Sequence, residues 1–181
     1  HPKIAELREK ILNGPKDKVY DVDLTYISSR GNWYNISWKG DIQKSGGVAT
    51  NIGIHFFDML SWIFGETKRN IVHLSLPNKA AGFLELKNAR VRWFLSLDQN
   101  DLPSSTVEKG QRTFRAITID GEEIEYSEGF TDLHTLTYTE RLAGRGFGLK
   151  DARQSVEIAY TIRNAKPEGL SGDYHPFIKS I

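Results

Sequence analysis

The chain has 181 residues, 24 Lys and Arg against 23 Asp and Glu, a net charge of +1, and 39% hydrophobic residues. That is enough chain for one domain with a substantial core, and the balanced charge, with no clustered basic stripe, argues against a nucleic-acid partner. The absence of cysteine excludes disulfides and thiolate sites. The longest apolar run, 52–64, is broken by His55, Asp58 and Ser61 and is too short for a bilayer, so a cytoplasmic protein with no membrane partner is expected.

Residues 3–13 carry Ile4, Leu7, Ile11 and Leu12 at helical spacing, and Asn13-Gly14-Pro15 ends the pattern, predicting an amphipathic helix. Residues 19–28 alternate Tyr20, Val22, Leu24 and Tyr26 with Asp21, Asp23 and Thr25, predicting a strand. The segment Asn32–Gly40 holds Trp33, Tyr34 and Trp38, with Arg30 and Lys39 at its margins. Rings beside cations can stack on a sugar or base and pair with phosphate or carboxylate. They can equally seal the core beneath a loop, and the residues themselves leave both readings open.

The stretch Ser45–Gly65 organises the chain. It predicts a glycine-containing turn, a short helix capped by Thr50 or Asn51, and a left-handed stop at Gly65. At about 100° per residue, Asn51, His55 and Asp58 fall on one face. The other positions, including Ile52, Ile54, Phe56, Phe57, Met59, Leu60, Ile63 and Phe64, are apolar nearly all round, so the helix is expected to be buried. Its polar trio then has to be paired internally or face a cavity. Gly53, inside the helix, costs about 1 kcal/mol of propensity and permits close approach.

Beyond Gly65, strands are predicted over 71–76 and in two hairpins. One has arms 81–87 and 90–98 about Asn88-Ala89; the other has arms 113–120 and 123–126 about Asp120-Gly121. Residues 131–143 read as a helix packing through Leu133, Leu136, Tyr138 and Leu142, and residues 150–164 as a last helix apolar at Val156, Ile158, Ala159 and Ile162, with Asp151 in its first turn. Between them Gly144-Arg145-Gly146-Phe147-Gly148 follows a helix and is followed by Leu149, which rules against a phosphate loop. The fold class expected is α+β: an open, mostly antiparallel or mixed sheet with helices on one face.

The string Gly46-Gly47-x-x-x-Asn51-x-Gly53-x-His55-x-x-Asp58 resembles the signature of the second domain of the Gfo/Idh/MocA oxidoreductases. That signature usually reads Gly-Gly-Gly, three residues, Asp, x, Gly, x, His, x, x, Asp. Here Ser45 replaces the first glycine and Asn51 stands at the usual Asp. The pieces Arg30–Asp41, Phe130–Thr135, Leu142–Gly148 and Asp151–Arg153 resemble the branch acting on UDP-N-acetylglucosaminuronate, and together they span most of the chain.

The resemblance implies a substrate-binding and oligomerisation domain over 15–181, with 1–14 the last helix of an amino-terminal Rossmann domain. The dinucleotide fingerprint and the Glu-Lys-Pro carrying the family's lysine are missing, and the chain opens on His1 rather than Met. NAD is therefore expected to bind mainly to that absent domain, with no cofactor-binding residue in this chain, and the fragment alone is expected to be inactive. The implied reaction is oxidation of the C3 hydroxyl of the nucleotide sugar in surface polysaccharide biosynthesis, in a homo-oligomer paired through the open sheet face. By resemblance His55 and Asn51 are the catalytic pair. Arg30, Tyr34, Trp38, Lys39, Arg145 and Arg153 contact the substrate, and Gly47, Gly53 and Asp58 support the site. Asn51 can orient a hydroxyl or an imidazole but cannot take a proton.

Three rivals stand beside this. A metal site would use His55 and Asp58 with His134 or His175, but an i,i+3 pair supplies only two ligands, so no metal is expected. A non-catalytic sugar-binding or dimerisation module fits the same composition. So does a family member acting on another sugar or cyclitol.

Overall fold

In the computed structural model, which describes residues 2–125 and 132–180, six strands form one sheet: β1 (Tyr20–Ser28), β2 (Thr67–Ser75), β3 (Lys79–Leu86), β4 (Ala89–Ser96), β5 (Thr113–Ile119) and β6 (Glu122–Glu125). Their order is β2-β3-β4-β1-β5-β6. β1 runs parallel to β4, and every other neighbouring pair is antiparallel. The predicted α+β class holds. The β5–β6 hairpin turns where the sequence places it, with Asp120 at φ 50° and Gly121 at φ 89°, both left-handed as a two-residue turn requires.

The period-two pattern sorts the sheet into two faces. Leu24 lies opposite Trp93 of β4 and Ile117 of β5, and Val22, Val91 and Leu95 share their side; all of these are fully buried. Three helices cover this face: α1 (Pro2–Leu12), α4 (Ile54–Phe64) and α7 (Leu149–Asn164). α4 buries Phe57, Leu60, Ile63 and Phe64, and the Phe57 ring meets the Trp93 edge at 5.3 Å between centroids. Side chains of this size each contribute about 1.5–3 kcal/mol on burial. α1 packs on α4 through Ile4, Leu7 and Ile11, while Leu12 faces out.

Three expectations are corrected. Val156 of α7 is exposed, because it lies two residues, about 200°, from buried Ile158. The helix α6 (Leu133–Leu142) buries none of its expected packing positions: Leu133, Leu136, Tyr138 and Leu142 are all exposed. At about 100° per residue Leu133 and Leu142 point to opposite sides, so they form no single stripe. Finally, α4 has an open side, carrying His55 and Asp58, both exposed.

The opposite sheet face is covered by the carboxyl-terminal tail. Phe94 and Ile27 pack with Phe177 and Ile178, the latter two on a 3-10 turn over Pro176–Ser180. His73 holds the tail to β2, its Nδ1 2.9 Å from the Gly169 carbonyl and its Nε2 3.0 Å from that of Asp173. Among the described residues, no helix is long and apolar enough to cross a membrane.

Candidate active site

The turn leading into α4 sets the site. Asp41 caps the four-residue helix α3 (Ile42–Ser45), its carboxylate accepting from the Gln43 and Lys44 backbone N–H groups. Gly46 and Gly47 then take φ of 77° and 80°, a left-handed pair that a side chain would strain. From Ala49 to Gly53 the backbone winds as a π turn before tightening into α4. Such turns recur at functional sites because they re-aim side chains.

The π turn changes the expected capping. Neither Thr50 nor Asn51 caps the helix through its side chain. Thr50 Oγ1 is buried without a hydrogen-bond partner, and Asn51 Nδ2 instead donates to the Tyr34 hydroxyl at 3.0 Å. Gly53 sits where a Cβ would come within 2.8 Å of both Leu95 Cδ1 and Phe57 Cε2. Its smallness brings the start of α4 down onto the sheet.

Above this turn lies a cleft of about 690 Å³. α4 and its π turn supply Asn51, His55, Phe56 and Met59. The loop after β1 and the short helix α2 (Asn32–Ile36) supply Arg30, Trp33 and Tyr34, with Lys39 just beyond. Ile4 of α1, Arg115 of β5, and Leu133 with His134 of α6 complete the wall. Tyr34 is buried on α2, whereas Trp33 and Trp38 are exposed. The lining carries three cations, Arg30, Lys39 and Arg115, and among the described residues no carboxylate. Such a wall suits a ligand with several negative charges.

The structure brings together Asn51, His55, Arg30, Tyr34 and Lys39. Trp38 stays outside the lining, with the Lys39 ammonium 6.0 Å from its ring. Arg145, in the connector between α6 and α7, and Arg153, on α7, do not line the cleft. Arg145 makes a bidentate pair with Glu140, at 2.7 and 2.9 Å, and Arg153 pairs with Glu157 at 2.7 Å. Both carboxylates hold their guanidinium pKa values up. Asp58 is exposed and does not line the cleft, and Gly47 supports the turn from outside it. His175, one member of the metal alternative, is buried on the tail side of the sheet against Thr25. Of the four pieces that carry the resemblance to the branch, Phe130–Thr135 begins outside the described residues, at Phe130 and Thr131.

Arg115 and His134 were not anticipated as cleft residues. The signal for Arg115 is its phase: it lies opposite Tyr26, at a position where β5 otherwise carries Ile117 and Ile119 toward the helices.

A family model described as the oxidoreductase family, C-terminal alpha/beta domain, matches residues 8–140. The chain belongs to the Gfo/Idh/MocA oxidoreductase family. Among solved members, the WlbA (WbpB) dehydrogenase from Thermus thermophilus, in complex with NAD and alpha-ketoglutarate, is 49% identical at a TM-score of 0.93 over 98% of this chain. The same dehydrogenase in complex with NAD and UDP-GlcNAcA is 48% identical at a TM-score of 0.92. This chain covers 57% of the length of those structures. The WlbA dehydrogenase from Bordetella pertussis, 17% identical at a TM-score of 0.64 over 94% of this chain and 60% of its own, shares the fold.

Proposed function

We propose that this chain is the substrate-binding domain of an NAD-dependent dehydrogenase that oxidises the C3 hydroxyl of a UDP-N-acetylglucosaminuronate-type nucleotide sugar. The observation that carries the reading is the cleft itself: three cations and two imidazoles around Asn51, with no described carboxylate. The likeness to a dehydrogenase solved with NAD and UDP-GlcNAcA supports it. The whole enzyme works in the cytoplasm in surface polysaccharide biosynthesis. α1 is the last helix of its nucleotide-binding domain, and the tail-covered sheet face pairs its subunits.

The chemistry divides accordingly. His55 is exposed at the cleft beside Met59, an imidazole and an apolar surface that fit a nicotinamide ring brought from outside the chain. The cofactor, when bound, accepts hydride. His55 hydrogen-bonds the reacting hydroxyl, a ring nitrogen accepting from the O–H. Asn51 is held by Tyr34 and orients that hydroxyl as a neutral group. The hydroxyl proton passes to the His55 ring nitrogen or to a base brought from outside the chain, since the Asn51 amide cannot take it. Trp33 and Phe56 offer ring faces for the sugar and base, and Lys39 meets an anionic oxygen of the diphosphate.

Calorimetric titration of the chain with UDP-N-acetylglucosaminuronate, alongside NAD, tests the reading. Sugar binding without NAD binding is expected, weakened by His55→Ala and more strongly by Lys39→Ala. Binding of NAD with none of the sugar would contradict it. A second reading, a sugar-binding module with no role in turnover, would be favoured if the intact protein bound the sugar but left it unoxidised with NAD present.

A further inference from the structure

The bond between Asn51 and Tyr34 leaves a defined remainder. Asn51 Nδ2 donates to the Tyr34 hydroxyl at 3.0 Å, so the phenolic oxygen is the acceptor there and its own proton is free to be donated elsewhere. Among the described residues that proton has no acceptor, and Asn51 Oδ1 receives no hydrogen bond. Both residues line the cleft. The pair thus offers one O–H donor and one carbonyl acceptor side by side. Its geometry is held from behind. Tyr34 is 4% exposed, its ring packs steeply on that of Trp33 with centroids 5.7 Å apart, and its carbonyl accepts from Ser37 Oγ at 2.8 Å. Gly40 closes the following turn so tightly that a Cβ there would come within 2.7 Å of Asn35 Cα.

A donor and an acceptor this close fit one group that is both, a hydroxyl: its oxygen accepts from Tyr34 while its proton goes to Asn51. An ether oxygen or a ketone satisfies only the donor. On the proposed substrate the sugar ring carries two hydroxyls, at C3 and C4; C1 bears the diphosphate, C2 the acetamido group and C5 the carboxylate. The C3 hydroxyl donates to His55 in the proposed reaction, and so cannot also donate to Asn51 Oδ1. The C4 hydroxyl is on the adjacent carbon, as Asn51 is about one turn from His55. Building on the nucleotide-sugar reading, we infer that Tyr34, acting with Asn51, is a specificity-determining residue that reads the C4 hydroxyl and selects its configuration. Asn51 keeps its second amide proton for the reacting oxygen. A site built to hydrogen-bond a hydroxyl rejects a ligand that moves or lacks it, because its own polar groups are then left unpaired.

The test is calorimetric titration of the wild-type chain, Tyr34→Phe and Asn51→Ala with three probes: UDP-N-acetylglucosaminuronate, its C4 epimer UDP-N-acetylgalactosaminuronate, and UDP. For the wild type a preference of about fivefold or more for the gluco sugar is expected, the scale of one hydrogen bond. Tyr34→Phe should bring that preference below about twofold while changing the affinity for UDP by less than about twofold, and Asn51→Ala should erase the preference in the same way. If Tyr34→Phe does not fold, Asn51→Ala carries the test on the same terms. An undiminished preference in either folded variant overturns the inference. So does an equal loss for all three probes, which would assign the pair to the ribose hydroxyls or to the shape of the cleft. If the wild type binds none of the three, the nucleotide-sugar reading fails and takes this inference with it. If it binds the two epimers equally, or the galacto epimer more tightly, only the inference about Tyr34 fails.

Discussion

The two faces of the sheet are built on different physics. The helix face is dry: Trp93, Phe57, Phe64 and Leu95 are fully or almost fully buried, and the backbone of α4 comes close through Gly53. The tail face is held by charge and hydrogen bonds. Arg92 Nε lies 2.5 Å from Asp23, Lys79 bridges Asp98 and Asp101 at 3.3 and 2.8 Å, and Arg90 pairs with Asp173. Buried His175 accepts the Phe177 N–H at Nδ1 and so donates from Nε2 to Thr25 at 3.0 Å. The cleft opens on the dry face, whose packed side chains are fixed by shape. Both imidazoles of the cleft, His55 and His134, belong to that face.

The contrast breaks most severely where the dry face is hollowed. Phe57→Ala removes the ring that meets Trp93 and should cost about 3–5 kcal/mol, read by urea denaturation with no dependence on salt. On the tail face the largest effect is expected from pH. Burial pushes the His175 imidazole down from 6.5 to about 4, with the Asp23 carboxylate opposing. The folded form therefore favours the neutral ring, so this stability is full above about pH 6.5 and is lost as pH falls toward 4. The loss approaches about 3 kcal/mol. Denaturation midpoints across that range should show it, and His175→Gln should flatten the profile. Arg92→Met leaves Asp23 half-buried without its guanidinium and should cost roughly 1–3 kcal/mol, with a dependence on salt that Phe57→Ala lacks. The smallest effects are expected at Arg145→Ala and Arg153→Ala. Each breaks an exposed ion pair that solvent screens, so stability should change little and sugar affinity should stay unchanged; a loss of binding in either variant would bring that arginine into the site.

Much of the dry face could be read directly from the chain. Alternation in β1 and β4, the Asp120-Gly121 turn and the glycine stop at Gly65 (φ 89°) each rest on local rules. The parallel pairing of β1 with β4 did not follow from them, because strand neighbours far apart in sequence are chosen by packing. Nor did the exposure of His55 and Asp58: α4 reads as apolar all round, and only the assembled sheet decides which side is covered. Asn51 and His55 of the motif line the cleft, but the π turn over Ala49–Gly53 has no local sequence rule that announces it. Arg145 and Arg153 enter as substrate contacts only through the resemblance, and each pairs instead with a carboxylate close in sequence, Glu140 and Glu157. Arg115 lies in the inward phase of its strand, opposite Tyr26, a signal that the hairpin pattern overshadowed.

The proposed function requires the cleft of the dry face to receive the acidic nucleotide sugar with its reacting carbon at His55. Imidazole and amide NMR shifts of the labelled chain, followed while UDP-N-acetylglucosaminuronate is added, test this most directly. The account predicts saturable shifts at His55, His134 and the Asn51 side-chain amide, with His73 and His175 unmoved. Shifts confined to His73, His175 and the hollow beside Arg90 and Asp173 would place the ligand on the tail face and contradict it.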